Sequence, residues 1–568
     1  MTGRKAVVVG AGVGGLSIAA RLRKAGFAVT VVEKNSFVGG RCSLIRDNGY
    51  RFDQGPSFLL MPEIFEETFR DLGTSLRGEG IRLLKSPPNY RVWFGDDDFF
   101  ELSTQMPRLK HEIEYHEGRE GFGRFIAYME EARQHYELFI EHVLKKDFPS
   151  FLSMLRPAFL RSVFNLHPFE SMRRRTKKYF HTEKLRQVFA VGSRHLGMSP
   201  FDAPGMYSFL QYAEIADGVW YPEGGFYRVI DALAQVGNRL GVEFLLETAV
   251  SRINISRDGK SATGVKLSSG ESLDADIVVV NADLVYAYNE LLPRSSYAES
   301  LQKTPTSCSS ISFYWSFDTV IKELPAHNVF LPKKYAECFE SIFIDHLIPT
   351  HPFFYVDVPS RVDLDAAPPG GDAVVVIVPV GHLPHRVRDW DELIFKIREG
   401  VIDTIESRTG ARSLRNRLLH ERIDTPMIWR AKFNLDRGAI FGLSHSFFNT
   451  LSFRPRTKHD EIEGLYFVGA STHPGAGVPM CLAGSKIVSE QILESYGLIK
   501  KKKKGPSKRA RRYLVTLSIL LSVFVCILLA RWIYSIWGTH YATSRAGVVT
   551  SPYRRSRFRG RGRSFMFV

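Results

Sequence analysis

The first forty residues carry the tightest constraint in this chain. Lys5–Val9 (KAVVV) is a short β-branched run with the length of a buried strand. It leads directly into Gly10-Ala11-Gly12-Val13-Gly14-Gly15, and an Ala-, Leu- and Arg-rich segment of helical period continues to Ala25. Ala28–Val32 (AVTVV) reads as a second strand ending at Glu33, 18 residues beyond Gly15. Strand, glycine turn, helix, strand and acid in this order form the pattern of a dinucleotide site. Gly10 permits the tight turn, Gly12 lets a pyrophosphate approach the backbone, and Gly15 allows the helix to pack closely on the strand. Gly14 belongs to the same turn, whose helix N-terminus favours phosphate charge. Glu33 can accept hydrogen bonds from a ribose 2′-hydroxyl, and its charge would repel a 2′-phosphate, which argues against NADP. The spacing does not separate FAD from NAD, which share the adenosine half.

The residues after Glu33 are Lys34-Asn35-Ser36-Phe37-Val38-Gly39-Gly40-Arg41, followed by Gly49-Tyr50-Arg51-Phe52-Asp53-Gln54-Gly55-Pro56. This run resembles the FAD site of the flavin amine oxidase and carotenoid desaturase superfamily. The resemblance implies that the segment with Gly40 and Arg41 lies along the pyrophosphate and ribityl chain. The turn with Gly55 and Pro56 then approaches the isoalloxazine, and Lys34 joins the cofactor set beside the acid. The far end continues the likeness. Leu465–Val468 (LYFV) reads as a buried strand, followed by Gly469, Ser471, the run His473-Pro474-Gly475-Ala476-Gly477, Val478, Pro479 and a helix-like segment Cys481–Leu493. Such a segment presents backbone N–H groups to a flavin and its phosphates. Ser471 stands near the place where many flavoproteins put an acid, and His473 reads as a structural residue beside Pro474 rather than as a base. Val242–Ile253 and Ile277–Asp283 read as further strands of the cofactor domain. By the resemblance, Val250 lies near the adenine, and Asn281 opens the turn that follows the strand packed beneath it.

The expected class is α/β: a discontinuous Rossmann-like FAD-binding domain from residues 1–85, 225–290 and 460–498, with a mixed α+β substrate domain, flavin amine oxidase-like, from 86–224 and 291–459. The substrate segments hold no nucleophile elbow, metal-ligand cluster or repeat, and no residue stands out as a catalytic base. They are rich in aromatics, including Phe148, Phe159, Phe169, Phe313, Tyr314, Trp315, Phe353 and Tyr355; core packing accounts for most, and an apolar tunnel over the flavin would suit the rest. Arg173–Lys178 (RRRTKK) is a basic run on a helix, expected as solvated surface or a membrane-facing patch. Gly218–Phe226 (GVWYPEGGF), Ser199–Pro204 (SPFDAP) and the HPGAG run resemble the carotenoid desaturase branch, and the fungal phytoene desaturases in particular.

The net charge of +16 at pH 7 looks like a nucleic-acid signal until it is located. From Lys500 to Val568 there are 17 Lys or Arg and no Asp or Glu, leaving 59 basic against 60 acidic residues in 1–499. A nucleic-acid enzyme would carry its basic patch on the body, so no nucleic-acid partner is expected. Residues 499–512 read as a basic linker, 513–533 as a transmembrane helix and 534–568 as a basic tail. Tyr513–Ala530 is 18 residues without a charge, roughly 27 Å as a helix and close to the hydrocarbon core of a thin bilayer. Nine cations before this span keep the body cytosolic by the positive-inside bias, in the endoplasmic reticulum or another internal membrane. The five cysteines show no CxxC pair, which favours a reducing compartment over disulfides or zinc.

Family resemblance implies an FAD-dependent desaturase that takes phytoene stepwise toward lycopene or 3,4-didehydrolycopene. NAD is an alternative or additional cofactor, and a homo-oligomer is left open, as are the final product and the terminal electron acceptor. Two other readings compete: another flavin oxidoreductase, such as an amine oxidase or a different carotenoid desaturase or ketolase, and a non-catalytic prenyl-binding protein of the same fold.

Overall fold

The computed structural model describes residues 3–96, 98–150, 153–154, 159, 166–382 and 389–500. All of them fall in one compact unit spanning 1–501. Its centre is a five-stranded parallel sheet in the order Leu465–Phe467, Ile277–Val280, β1 (Lys5–Val9), β2 (Ala28–Val32), Glu243–Leu245. The near-continuous Val and Ile content of these strands has a simple cause: both faces of the sheet are covered. Ala6, Val8, Val29, Val31, Ile277 and Val279 point into a core shared with α1 (Val13–Lys24) and the helices Tyr227–Leu240 and Val478–Ser495. Their alternates Val7, Val9, Val32, Val278 and Val280 point into a second core under a three-stranded antiparallel sheet (Val250–Ile255, Ala262–Leu267, Ser272–Asp274). Ser17 of α1 and Ser485 of the last helix meet across their packed faces at 2.6 Å between hydroxyl oxygens.

A seven-stranded mixed sheet forms the other large element. Its strand Ser309–Phe317 is buried over all nine residues, between Asp372–Val380 and Leu418–Asp424. Alternation divides this strand by function. Ile311, Phe313, Trp315 and Phe317 pack beneath Ile397, Val401, Ile402 and Ile405 of the helix Trp390–Thr409, whereas Ser310 and Ser312 face a central cavity.

The structure departs from the sequence reading at three places. Val242–Ile253 is not one strand: Glu243–Leu245 ends in the parallel sheet, and Val250–Ile255 begins in the antiparallel one. The last helix starts at Val478 rather than Cys481, because Pro479 falls at its first turn, where a missing N–H costs nothing. The basic run lies on a helix, Met172–Tyr179, but Arg173 and Arg175 are buried rather than solvated, paired with Glu183 and with Glu131 and Glu170. Among the described residues no helix is long and apolar enough to cross a membrane. The 513–533 segment, the linker beyond Lys500 and the tail lie outside the described residues.

Candidate functional site

The cavity, about 470 Å³, opens where β1 hands over to α1. Gly10 turns the chain at φ +98°, a conformation that costs a side-chain-bearing residue free energy. Gly15 is required by contact instead, since a Cβ there would lie 2.1 Å from the Gly10 carbonyl oxygen. α1 begins at Gly12 with no side-chain cap and no acid in its first turn, so its leading N–H groups are open to the cavity. The helix Val478–Ser495 begins the same way at Gly477. Two uncapped helix starts facing one space make a natural receptor for a pyrophosphate and an electron-rich ring edge. The residues therefore fit a dinucleotide.

One side chain ties the α1 turn to the loop that follows the strand Leu465–Phe467. The Asn281 amide donates to the Val468 carbonyl at 2.8 Å, and Cβ atoms at Gly12, Gly14 and Gly469 would stand within 2.7–3.1 Å of its polar end. Glu33 is buried at the end of β2. One carboxylate oxygen accepts from the Ala11 N–H at 2.9 Å, and the other accepts from the Asn35 backbone and side chain at 2.9 and 2.8 Å. Its two oxygens thus fix both the glycine turn and the chain leaving β2, with one lone pair left for a ribose. Lys34 donates to the Ala431 carbonyl at 2.7 Å and to Asn434 at 2.8 Å. That contact draws the turn after the helix Pro426–Phe433 over the nucleotide end, where Trp429, Phe433 and Leu435 join the lining. Arg41 donates to the Ile440 carbonyl, and the Gly39 N–H reaches the Ala11 carbonyl at 2.7 Å.

The FDxGP turn is held by a buried acid. Asp53 accepts from the Tyr221 hydroxyl at 2.6 Å and from the Phe226 N–H at 2.8 Å, which joins this turn to the WYPEGGF segment. Burial pushes its carboxyl up to about 6, against the pull of the Tyr221 hydroxyl. Arg51 completes the junction through Asp363, 2.5 Å away. On the other flank Arg454 is buried with no carboxylate paired to it among the described residues. Its guanidinium donates to five main-chain carbonyls: Leu443, Ser444 and Asn449 on one loop, Ala470 and Thr472 on the glycine loop.

Beyond the nucleotide end the cavity turns apolar. Phe58, Phe139, Phe209, Phe339, Phe353 and Phe441 are among its walls, and Phe139 stacks on Phe209 with centroids 4.1 Å apart. Two imidazoles at this end, those of His195 and His445, are each held by a hydrogen bond. His195 meets Glu214 at 2.7 Å; because a carboxylate can only accept, the His195 Nε2 carries the hydrogen. Burial and the neighbouring Arg194 pull the His195 imidazole down, while His195 and Arg194 hold Glu214 below its ordinary value despite its burial. His445 accepts the Ala476 N–H at 2.9 Å, and burial holds it well below the usual imidazole range, so it is neutral.

Gly10, Gly12, Gly14, Glu33, Lys34, Gly40, Arg41, Gly55, Pro56, Val250, Asn281, Gly469, Gly477, Val478 and Pro479 all line this one cavity. Gly15 stands behind it as packing. His473 turns its Nε2 to the Val143 and Lys146 carbonyls at 3.2 and 2.8 Å, a structural use. Sequence reasoning missed the covering turn at 429–435, the His195–Glu214 pair and Arg454. None sits in a motif of fixed spacing; a lone Arg between Phe453 and Pro455 offers no local sign of its burial.

The model of the flavin-containing amine oxidoreductases matches residues 13–493, and the chain belongs to that family. A flavin is accordingly its cofactor. A phytoene desaturase of Fusarium fujikuroi is 53% identical over 557 residues, covering 93% of this chain and 98% of the relative. One of Neurospora crassa is 52% identical over 505 residues, covering 86% and 85%. Among solved structures, an oxidoreductase of Methanosarcina mazei covers 86% of this chain and all of its own at a TM-score of 0.55 and 18% identity, a likeness of fold alone. Within its family the chain is a carotenoid desaturase of the fungal type, an oxidoreductase acting on CH–CH groups.

Proposed function

We propose that the chain desaturates phytoene stepwise toward lycopene, and in some settings to 3,4-didehydrolycopene, with FAD as its cofactor. The observation that carries this reading is the continuity of one cavity, from the glycine cradle to a chamber walled by aromatic rings. A hydrocarbon offers no polar handle, so recognition rests on the shape of that chamber. The names of the similar fungal proteins support the same substrate. A bound flavin supplies the hydride acceptor. The chain's own residues hold the cofactor at Gly10–Gly15, Glu33 and Gly477–Pro479, keep the chamber dry with stacked rings, and orient the substrate along it. Glu33 disfavours NADP; NAD is a further candidate as electron acceptor.

In this reading residues 1–85, 225–290 and 460–498 act as the FAD domain, and 86–224 and 291–459 as the substrate domain. The apolar 513–533 segment anchors the body to the cytosolic side of an internal membrane, where phytoene dissolves. The test is direct. Purified protein should be yellow with bound flavin and should convert liposomal phytoene to coloured polyenes. A flavin-loaded preparation that leaves phytoene unchanged and oxidises an amine instead would replace this reading with the amine oxidase one.

A further inference from the structure

Desaturation takes two hydrogens from neighbouring carbons. One leaves with its electron pair as a hydride to the bound flavin, which is thereby reduced. The other leaves as a proton, and the electron pair of its C–H bond becomes the new π bond. That proton needs a basic lone pair on the wall of the chamber. Few side chains along the described wall offer one. The thiols and phenols keep their protons, because burial pushes them up. Glu33 and Asp283 stand beside the glycine turn and accept backbone N–H groups there. Arg194 and Lys34 can only donate. His445 uses its free lone pair on the Ala476 N–H. His195 is different. Its Nε2 carries the hydrogen that meets Glu214, so the lone pair is on Nδ1. That nitrogen makes no hydrogen bond among the described residues and is not closed off by them, and the residue lines the cavity.

Contacts on both sides place this imidazole between two turns of the cofactor end. Its ring packs edge-on to Phe58 with centroids 5.4 Å apart, and Phe58 follows Pro56 of the FDxGP turn by two residues. Three residues beyond His195, the Met198 sulfur accepts the His445 N–H at 3.3 Å, and His445 in turn holds Ala476 just before the helix start at Gly477. The charges that face the imidazole are Glu214, from the helix Ser208–Ala216, and Arg194 beside it in the chain. Tyr90 donates to the same carboxylate at 3.0 Å, and His327 lies on the far side of Phe58. Arg194 already offsets Glu214 at 3.4 Å, so the imidazole rests neutral. A proton arriving on Nδ1 makes an imidazolium that the adjoining carboxylate stabilises.

We propose that His195 is the proton acceptor of the desaturation. Its Nδ1 takes the proton from the substrate carbon, Glu214 acts as the positioning residue that holds the ring through Nε2–H, and the proton passes to water once the product has left. This rests on the phytoene reading, because a base of this kind has its use only in a reaction that removes a proton from carbon inside the chamber.

The test uses the full flavin-loaded chain with detergent-dispersed phytoene and no oxygen, and reads the bleaching of flavin absorbance in a single turnover. His195→Gln keeps an N–H for Glu214 and removes the basic nitrogen. It should hold its flavin and bind lycopene as before, read from flavin content and from quenching of flavin fluorescence, while bleaching slows about a hundredfold. Free imidazole should restore part of the rate to His195→Gly in proportion to its concentration, which a packing role does not predict. In the unsubstituted chain the rate should fall at acid pH, below the usual imidazole range, as His195 takes its proton from solvent. That limb should be absent from His195→Gln. A limb that persists there belongs to Asp53 or Asp283 and overturns the assignment, as does bleaching at the unsubstituted rate. If neither variant holds flavin, diethyl pyrocarbonate on the unsubstituted chain decides. His195 should be acylated, bound lycopene should protect it, and acylation should stop bleaching with the flavin still in place. An unreactive His195, or an acylated one that bleaches at the full rate, overturns the proposal. Flavin that phytoene does not bleach in the unsubstituted chain sinks the substrate reading and the base with it, whereas bleaching that ignores His195 sinks the base alone.

Discussion

The two ends of the cavity are built by opposite means. The nucleotide end is made of backbone and one carboxylate: a glycine turn and the acid Glu33 directly at strand ends, and two uncapped helix starts, the second of which follows its strand by a longer loop. The apolar end is made of side chains contributed by distant segments, with Phe58, Phe139, Phe209, Phe353 and Phe441 meeting from five parts of the chain. A site made of backbone tolerates almost no added atoms, because the main chain cannot step aside. A site made of rings tolerates change at the cost of packing energy. The first therefore fixes which cofactor binds, and the second can vary which hydrocarbon fits.

The largest expected effect lies at Gly15. A Val there places a Cβ 2.1 Å from the Gly10 carbonyl, so α1 must move off β1. The variant should lose its flavin and more than about 3 kcal/mol of stability, read from the flavin absorbance per protein and from thermal unfolding. Gly12→Val should also lose flavin, with a smaller stability loss, because its clash is with the Asn281 side chain rather than with backbone. Full flavin occupancy in both would erase the contrast between the two ends.

At the other end, Phe209→Ala removes a buried ring from the stack with Phe139. It should cost about 3–4 kcal/mol of stability while flavin stays bound, with a changed product distribution from phytoene. Loss of flavin from this variant would show that the two ends are not separable.

The junction between the ends should respond to pH. The folded value near 6 at Asp53 lies above that of an unfolded Asp, about 3.9. Between those values the folded state binds the proton and the unfolded state does not, so stability falls as pH rises from about 4 to about 6. The loss is on the order of 2–3 kcal/mol. Asp283, also buried and raised to about 6, adds a similar slope. Asp53→Asn should therefore shift the series of melting temperatures against pH so that the fall between about pH 4 and 6 is less steep than in the unsubstituted protein. An unchanged slope would assign it to other groups.

The smallest effect is at Glu33→Gln. One of the two sets of N–H donors would face an amide N–H₂ in place of an oxygen. Flavin affinity should fall about tenfold, near 1.4 kcal/mol, measured by fluorescence titration of the apoprotein.

How much could be read in advance follows the same division. β1, α1, β2 and Glu33 are legible because their chemistry depends on spacing along a short stretch, and the structure places each where the spacing requires. The WYPEGGF and FDxGP runs are visible as motifs, but what joins them is two hydrogen bonds, from Tyr221 and Phe226 to Asp53, across more than 160 residues. The basic run at 173–178 misleads because charge alone does not reveal partners: Glu131, which buries Arg175, is 44 residues away. Ser310 and Ser312 look like polar noise in a strand until alternation turns them toward the cavity.

Arg454 has a genetic consequence. Its partners are carbonyls of the main chain, so no substitution in 443–449 or 470–472, other than one that shifts the backbone itself, deletes an acceptor. As far as this clamp is concerned, the fragility of the junction is concentrated at one position. Lysine keeps the charge there but brings three donors to five carbonyls, so at least two lose their partner. In a population of variants surviving random mutagenesis, residue 454 should be nearly monomorphic, while replacements within the two loops should be limited by their own packing and not by loss of an Arg454 acceptor.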